Sequence, residues 1–191
     1  MRHLHRMSAV HQGIRHAKAL AAALEDPNCI RFTAVRDPAT RAVSGFMMFF
    51  SGAGAEVFKA EGRDKQAARR ESGIWTLGYE PDGDINRNFD VFLDYVAMCF
   101  EVSREHVNVH WRPQTLSIAL DHISYAHICR VETLRQDLAT VSDLVGFPLL
   151  PPGQEPPSVN QARRRGQFEL SKEQRRKIRT LYEDDYEAFG Y

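Results

Sequence analysis

The chain is short of long apolar runs, cysteine and net charge, and each shortage excludes something. A stretch such as Phe46 to Phe50 falls far below the length of a membrane span. The opening residues, Met1 to Met7, carry two histidines and two arginines and lack the apolar segment of a secretory signal. The three cysteines, Cys29, Cys99 and Cys129, are widely spaced and form no CxxC pair. They do not make a disulfide framework, and they read as reduced thiols of a cytoplasmic protein. Lys and Arg total 25 and Asp and Glu total 25, so the balance gives no argument for nucleic acid or a membrane surface as partner. His106 and His110, in His-Val-Asn-Val-His, lack a third ligand at a recognisable spacing, so the reading contains no metal. No internal repeat is present. The 191 residues suit one domain with enough chain to bury a core.

What is present is a series of apolar periodicities. Ile14, Ala17, Ala21 and Leu24 predict an amphipathic helix over 8–25, closed by Asp26-Pro27-Asn28. Residues 29–35 read as a buried strand, and 38–50 as a helix burying Val43, Phe46, Met47 and Phe50. Glycines punctuate 51–85, with a polar helix expected over 55–71. Phe89, Phe92, Leu93, Val96 and Phe100 mark another helix, with Cys99 on or near its apolar side. Short strands are expected at 107–111 and 123–131, then a helix over 132–145 ended by Gly146. Pro148, Pro151, Pro152, Pro156 and Pro157 make 147–157 an extended connection. Ser171 and Gln174 form a capping box for a last helix running to about Phe189. The chain thus divides into an N-terminal helix (1–28), a core (29–146), the proline-rich connection (147–157) and a C-terminal helical segment (158–191).

The most informative stretch is the turn from strand to helix at Val35-Arg36-Asp37-Pro38. Asp37 is a plausible N-cap with Pro38 at the first helical position. A helix start offers unpaired N–H groups and a positive dipole end, which suits an anion such as phosphate. Arg36 adds a bidentate fork, and Ser44, roughly 10 Å along the helix, adds a hydroxyl. The plain alternative pairs Arg36 with a surface carboxylate and leaves Ser44 solvated.

Three blocks occur in order: Arg36-Asp-Pro-Ala-Thr-Arg41-Ala-Val-Ser44-Gly-Phe46; His110-Trp-Arg-Pro-Gln114 followed by Glu132-Thr-Leu134 and Asp137; and Leu181-Tyr-Glu-Asp-Asp185-Tyr-Glu-Ala-Phe189-Gly-Tyr191. Together they resemble the carbohydrate sulfotransferases of the chondroitin and HNK-1 type and their bacterial relatives, over roughly residues 29–191. The resemblance implies an α/β domain of the P-loop-NTPase-like sulfotransferase fold, a short parallel sheet flanked by helices. It also implies transfer of a sulfuryl group from 3′-phosphoadenosine 5′-phosphosulfate (PAPS) to a carbohydrate hydroxyl. In such enzymes the residues matching Arg36 and Ser44 bind the donor's 3′-phosphate. Arg41 matches as well and reads as a structural ion-pair residue.

His110 is the candidate base, because its ordinary pKa lies near working pH. Two other readings stand beside it: a packed histidine holding a loop next to Trp111, or a Glu acting as base. Arg163, Arg164 and Arg165, with the basic residues of 172–179, form a strip that suits an anionic donor or acidic glycan, or a solvated helix face. The family's upstream Lys-Ser/Thr loop for the 5′-phosphosulfate has no counterpart in 1–28, where Gly13 and Lys18 both sit in the helical pattern. The expectation is a chain that starts after that loop, through a late start codon, a fragment, or a remnant kept for binding a nucleotide 3′-phosphate or a partner chain. Without that loop's strand, the sheet is expected to leave edges exposed and the chain to self-associate or be marginally stable.

Overall fold

The structure, a computed structural model, describes residues 17–50, 73–80, 83–151, 153–154 and 169–191. The helix expected over 55–71, the first half of the one expected over 8–25, and Arg163 to Arg165 lie outside the described residues. Helix α1 (Ala17–Glu25) leads to strand β1 (Phe32–Val35), and helix α2 (Pro38–Phe50) follows directly. After α3 (Gly73–Thr76) comes the long helix α4 (Ile85–Ser103), whose N-cap Asp84 accepts the Arg87 N–H. A short helix α5 (Gln114–Ser117) precedes strand β2 (His127–Arg130). One 3-10 turn (Val131–Thr133) opens into α6 (Leu134–Val145), closed by Gly146 at φ 75°, a left-handed position that a glycine adopts without strain. Helices α7 (Lys172–Leu181) and α8 (Glu183–Phe189) complete the chain described.

β1 and β2 pair in parallel, in register from Phe32 with His127 to Val35 with Arg130. Arg31 ties the entry to this sheet: its guanidinium donates to the carbonyls of Ala23, Leu24 and Ser124. It thereby satisfies carbonyls at the end of α1, where a cation also suits the helix dipole. The fold is α/β, helices around a short parallel sheet, as expected.

Four expectations change. The strand expected over 29–35 starts only at Phe32, and that over 123–131 narrows to His127–Arg130. Residues 107–111 are not a strand. Trp111 and Arg112 donate their N–H groups back to the Asn108 carbonyl, and the Asn108 side chain accepts the His110 N–H, so a turn replaces the ladder. Finally, the last helix breaks at Tyr182 (φ −117°, ψ 31°), whose buried side chain donates its hydroxyl to the Trp111 carbonyl at 2.7 Å.

The core is aromatic. Phe46 of α2 meets Phe89 edge-on at 5.2 Å and Phe92 at 5.6 Å, while Trp111 stands edge-on to Phe49 and Phe92. Trp111, Phe46, Phe89 and Phe92 are all at most 1 % exposed. Edge-to-face pairs of this kind add to the area they bury. α2 therefore has two working faces. Ala42 and Phe46 face this core, and Arg41, Gly45 and Phe49, spaced by four, face the turn at 108–111.

Candidate functional site

Arg36 follows Val35, the last residue of β1, at the point where the ladder stops. In place of a neighbouring strand it meets a side chain. The Arg36 N–H donates to Gln114 Oε1 at 2.8 Å, and Gln114 Nε2 donates to the Arg36 carbonyl at 2.8 Å. Gln114 is itself fixed by Asp185, which is 0 % exposed. The Asp185 carboxylate accepts the N–H groups of Gln114 (2.8 Å) and Thr115 (2.9 Å) and the Thr115 hydroxyl (3.2 Å). Donors in that number satisfy the lone pairs of a carboxylate buried away from water.

The start of α2 departs from the sequence reading. Its N–H groups do not stand open to an anion. Glu132 Oε1 accepts the Asp37 N–H at 3.0 Å, and Asp37 Oδ1 accepts both the N–H and the hydroxyl of Thr40. Pro38 has no N–H to offer. The second Glu132 oxygen accepts the Tyr191 hydroxyl at 2.9 Å, and Arg130 lies over the Tyr191 ring at 4.9 Å. Two protein carboxylates thus occupy the positive end of this helix.

What stays open is the Arg36 guanidinium. It makes no hydrogen bond or ion pair with any described residue, and the Ser44 hydroxyl makes none either. The acids at the start of α2 are already engaged: Asp37 by Thr40, Glu132 by Asp37 and Tyr191. Ser44 is half-buried and projects about 160° round the helix from Phe46, away from the aromatic core. A fork and a hydroxyl free of partners among the described residues fit a phosphate better than the helix end does.

His110 is half-buried with its ring edge-on to Phe49 at 4.8 Å. Burial, then the charge of Arg41, lowers its pKa from 6.5, so the imidazole is neutral at neutral pH. No hydrogen bond joins it to Arg36 or Ser44. It stands along the Arg41–Gly45–Phe49 face, where a Cβ on Gly45 would lie 3.4 Å from the His110 carbonyl. Among the described residues Arg41 makes no ion pair. Its guanidinium donates to the Val109 carbonyl at 2.8 Å, and burial lowers its pKa, against the opposing fields of Tyr182 and Asp185.

Along β2, Asp137 accepts His127 Nε2, the Arg130 N–H and the Thr133 hydroxyl. Cys129 is 1 % exposed, and burial with the Asp137 charge pushes its thiol up to about 11, so it is no nucleophile at neutral pH. A cavity of about 240 Å³ opens beside Thr115, among Glu105, Arg112, Asp121 and His122; Arg36, Ser44 and His110 do not line it.

With this geometry in place, one comparison is decisive: the sequence model of the sulfotransferase family matches residues 4–191. The chain belongs to sulfotransferase family 2. No curated protein and no solved structure matches it significantly. As a sulfotransferase-family domain it carries sulfuryl-transfer chemistry, which implies a sulfonate donor and an acceptor. Among the described residues of this sulfotransferase domain no His, Cys, Asp and Glu group is placed to hold a metal, and no helix is long and apolar enough to cross a membrane. Gln114, Glu132 and Asp185 all fall inside the matching sequence blocks, yet their roles have no local signal. The contacts that link them to Arg36, to Asp37 and to one another span 71 to 95 residues of chain.

Proposed function

We propose that this chain moves a sulfuryl group from PAPS to a carbohydrate hydroxyl, with Arg36 and Ser44 holding the 3′-phosphate of the donor. The observation that carries the reading is the state of Arg36, clamped through its main chain and open at its guanidinium. An arginine so placed meets a phosphate bidentately without first breaking an internal ion pair. Ser44, on the helix that follows Arg36 and turned from the aromatic core, supplies one more donor.

In the transfer the acceptor hydroxyl forms the new S–O bond, the S–O bond to the donor's 5′-phosphate breaks, and the hydroxyl proton passes to a base. We assign that base to His110, whose neutral imidazole is ready to take a proton. Positioning and charge stabilisation supply most of the rate in group transfers of this type. Binding and transfer therefore separate experimentally.

Isothermal titration with 3′,5′-ADP tests the site. Binding by the wild-type chain, strongly but measurably weakened in Arg36→Ala and less so in Ser44→Ala, supports it, and undiminished binding in both variants overturns it. Transfer of labelled sulfate from PAPS to an oligosaccharide tests the reaction. Binding without transfer selects the alternative, a catalytically impaired remnant that holds the nucleotide.

A further inference from the structure

We infer that Gln114 and Asp185 are positioning residues for the donor site, acting on the bound phosphate only through Arg36. The inference rests on the 3′-phosphate reading of Arg36 and gives that site its support.

Two features of the geometry carry it. First, the Gln114 amide engages both main-chain groups of Arg36, its N–H and its C=O, each at 2.8 Å. This is the pair of contacts a neighbouring strand would supply, extended one residue past the end of β1. It fixes the backbone of Arg36 and hence the direction in which its side chain leaves, while using none of the guanidinium donors. Second, the Gln114 amide has no freedom to turn. Gln114 is 5 % exposed, its own N–H is held by Asp185 Oδ2, and Nε2 also lies 3.5 Å from that oxygen. A buried carboxylate facing Nε2 selects the amide orientation in which Oε1 points at the Arg36 N–H. Asp185, on α8, thus sets Gln114, on α5, which sets Arg36 at the end of β1. The contacts made by Thr115 anchor the carboxylate from the other side.

Pre-organisation of this kind strengthens binding by removing the cost of ordering the arginine when the anion arrives. A link that works only through Arg36 must vanish with Arg36. That distinguishes it from a general contribution to folding, since residues in one network couple and independent ones add.

The test is a double-mutant cycle on 3′,5′-ADP affinity, with thermal melting run on every variant. Gln114→Met keeps the length and removes both contacts to Arg36. Gln114→Glu keeps an acceptor for the Arg36 N–H and removes the donor to its carbonyl. We expect Gln114→Met to weaken binding roughly ten-fold in the wild-type background and not at all in an Arg36→Ala background, with Gln114→Glu following the same pattern. Asp185→Asn, as a folded protein, behaves likewise. Equal losses in both backgrounds, or full affinity in a folded Gln114 variant, overturn the inference and leave the donor site standing. A folded wild-type chain that does not bind 3′,5′-ADP overturns the donor site and the inference together.

Discussion

Arg36 separates two tasks that one side chain often has to share. Its backbone is locked by Gln114, and its fork has no partner among the described residues. A lysine at this position keeps the charge and the backbone clamp but loses the planar fork. Arg36→Lys is therefore expected to weaken 3′,5′-ADP binding by ten-fold or more, on the order of one or two charge-assisted hydrogen bonds, with melting temperature unchanged. His110 gives a sharper test because its sign is fixed. Its folded pKa lies below the ordinary 6.5, so the unfolded chain binds the proton first. Its contribution to stability is intact above pH 6.5 and is lost as pH falls toward the folded pKa. Transfer activity, which needs the neutral ring, is expected to persist below pH 6.5 and then fall. His110→Gln should abolish transfer, spare nucleotide binding and flatten this part of the pH–stability curve; an unchanged curve refutes the buried, neutral imidazole. Gly45 belongs to the same face. A Cβ there already reaches 3.4 Å from the His110 carbonyl, so the branched side chain of Gly45→Val is expected to cost about 1–3 kcal/mol by overpacking, read by urea unfolding.

At the scale of elements, legibility followed the range of the interaction. The helix over 38–50, the stop at Gly146 and the capping box of Ser171 and Gln174 are written in neighbouring residues, and the sequence shows them. The alternation of Val107, Val109 and Trp111 looks like a strand. It is overridden because Arg41 takes the Val109 carbonyl and Trp111 turns inward to the aromatic core. The break at Tyr182 has no glycine or proline to announce it, only a burial that the distant Trp111 carbonyl completes. Likewise, Arg36 and Ser44 could be chosen from local pattern, whereas the acids that occupy the α2 start come from 95 residues away in Glu132 as well as from Asp37 itself. One junction of this kind can be tested directly. Burial raises the Asp137 pKa, but hydrogen bonds from Thr133, Arg130 and His127 outweigh it, and the net shift is below 3.8. Its stabilisation is thus present above pH 3.8 and is lost as pH falls through the folded pKa. Asp137→Asn should destabilise by about 1–3 kcal/mol near neutrality, and the gap to wild type should close in acid. A gap that is constant with pH would show that the carboxylate charge has no part in holding β2 to α6.

For the molecule as a whole, the weak point is the sheet. Parallel strands are ordinarily covered on both faces and embedded among further strands, and a two-stranded sheet has little stability of its own. Among the described residues β1 and β2 have only each other. Each therefore turns one edge of main-chain N–H and C=O groups away from its partner, and Ala34 is exposed in the middle of β1. The formal net charge is +0 at pH 7, so no long-range repulsion keeps copies apart. The core supports the helices instead: Phe46, Phe89, Phe92 and Trp111 join α2, α4 and the 108–111 turn without a strand among them. A chain with a sound helical core and an open sheet edge is expected to stay folded and to associate through that edge. Sedimentation velocity across the micromolar range should show mass rising with concentration. A charge planted on the strand opposes edge pairing, so Ala34→Lys should shift the population toward monomer while leaving the thermal melt of the helical core in place. A wild-type chain that remains monomeric throughout, with a high melting temperature, would mean that the edge of β1 is covered by part of the same chain and that the sheet is not where its stability is limited.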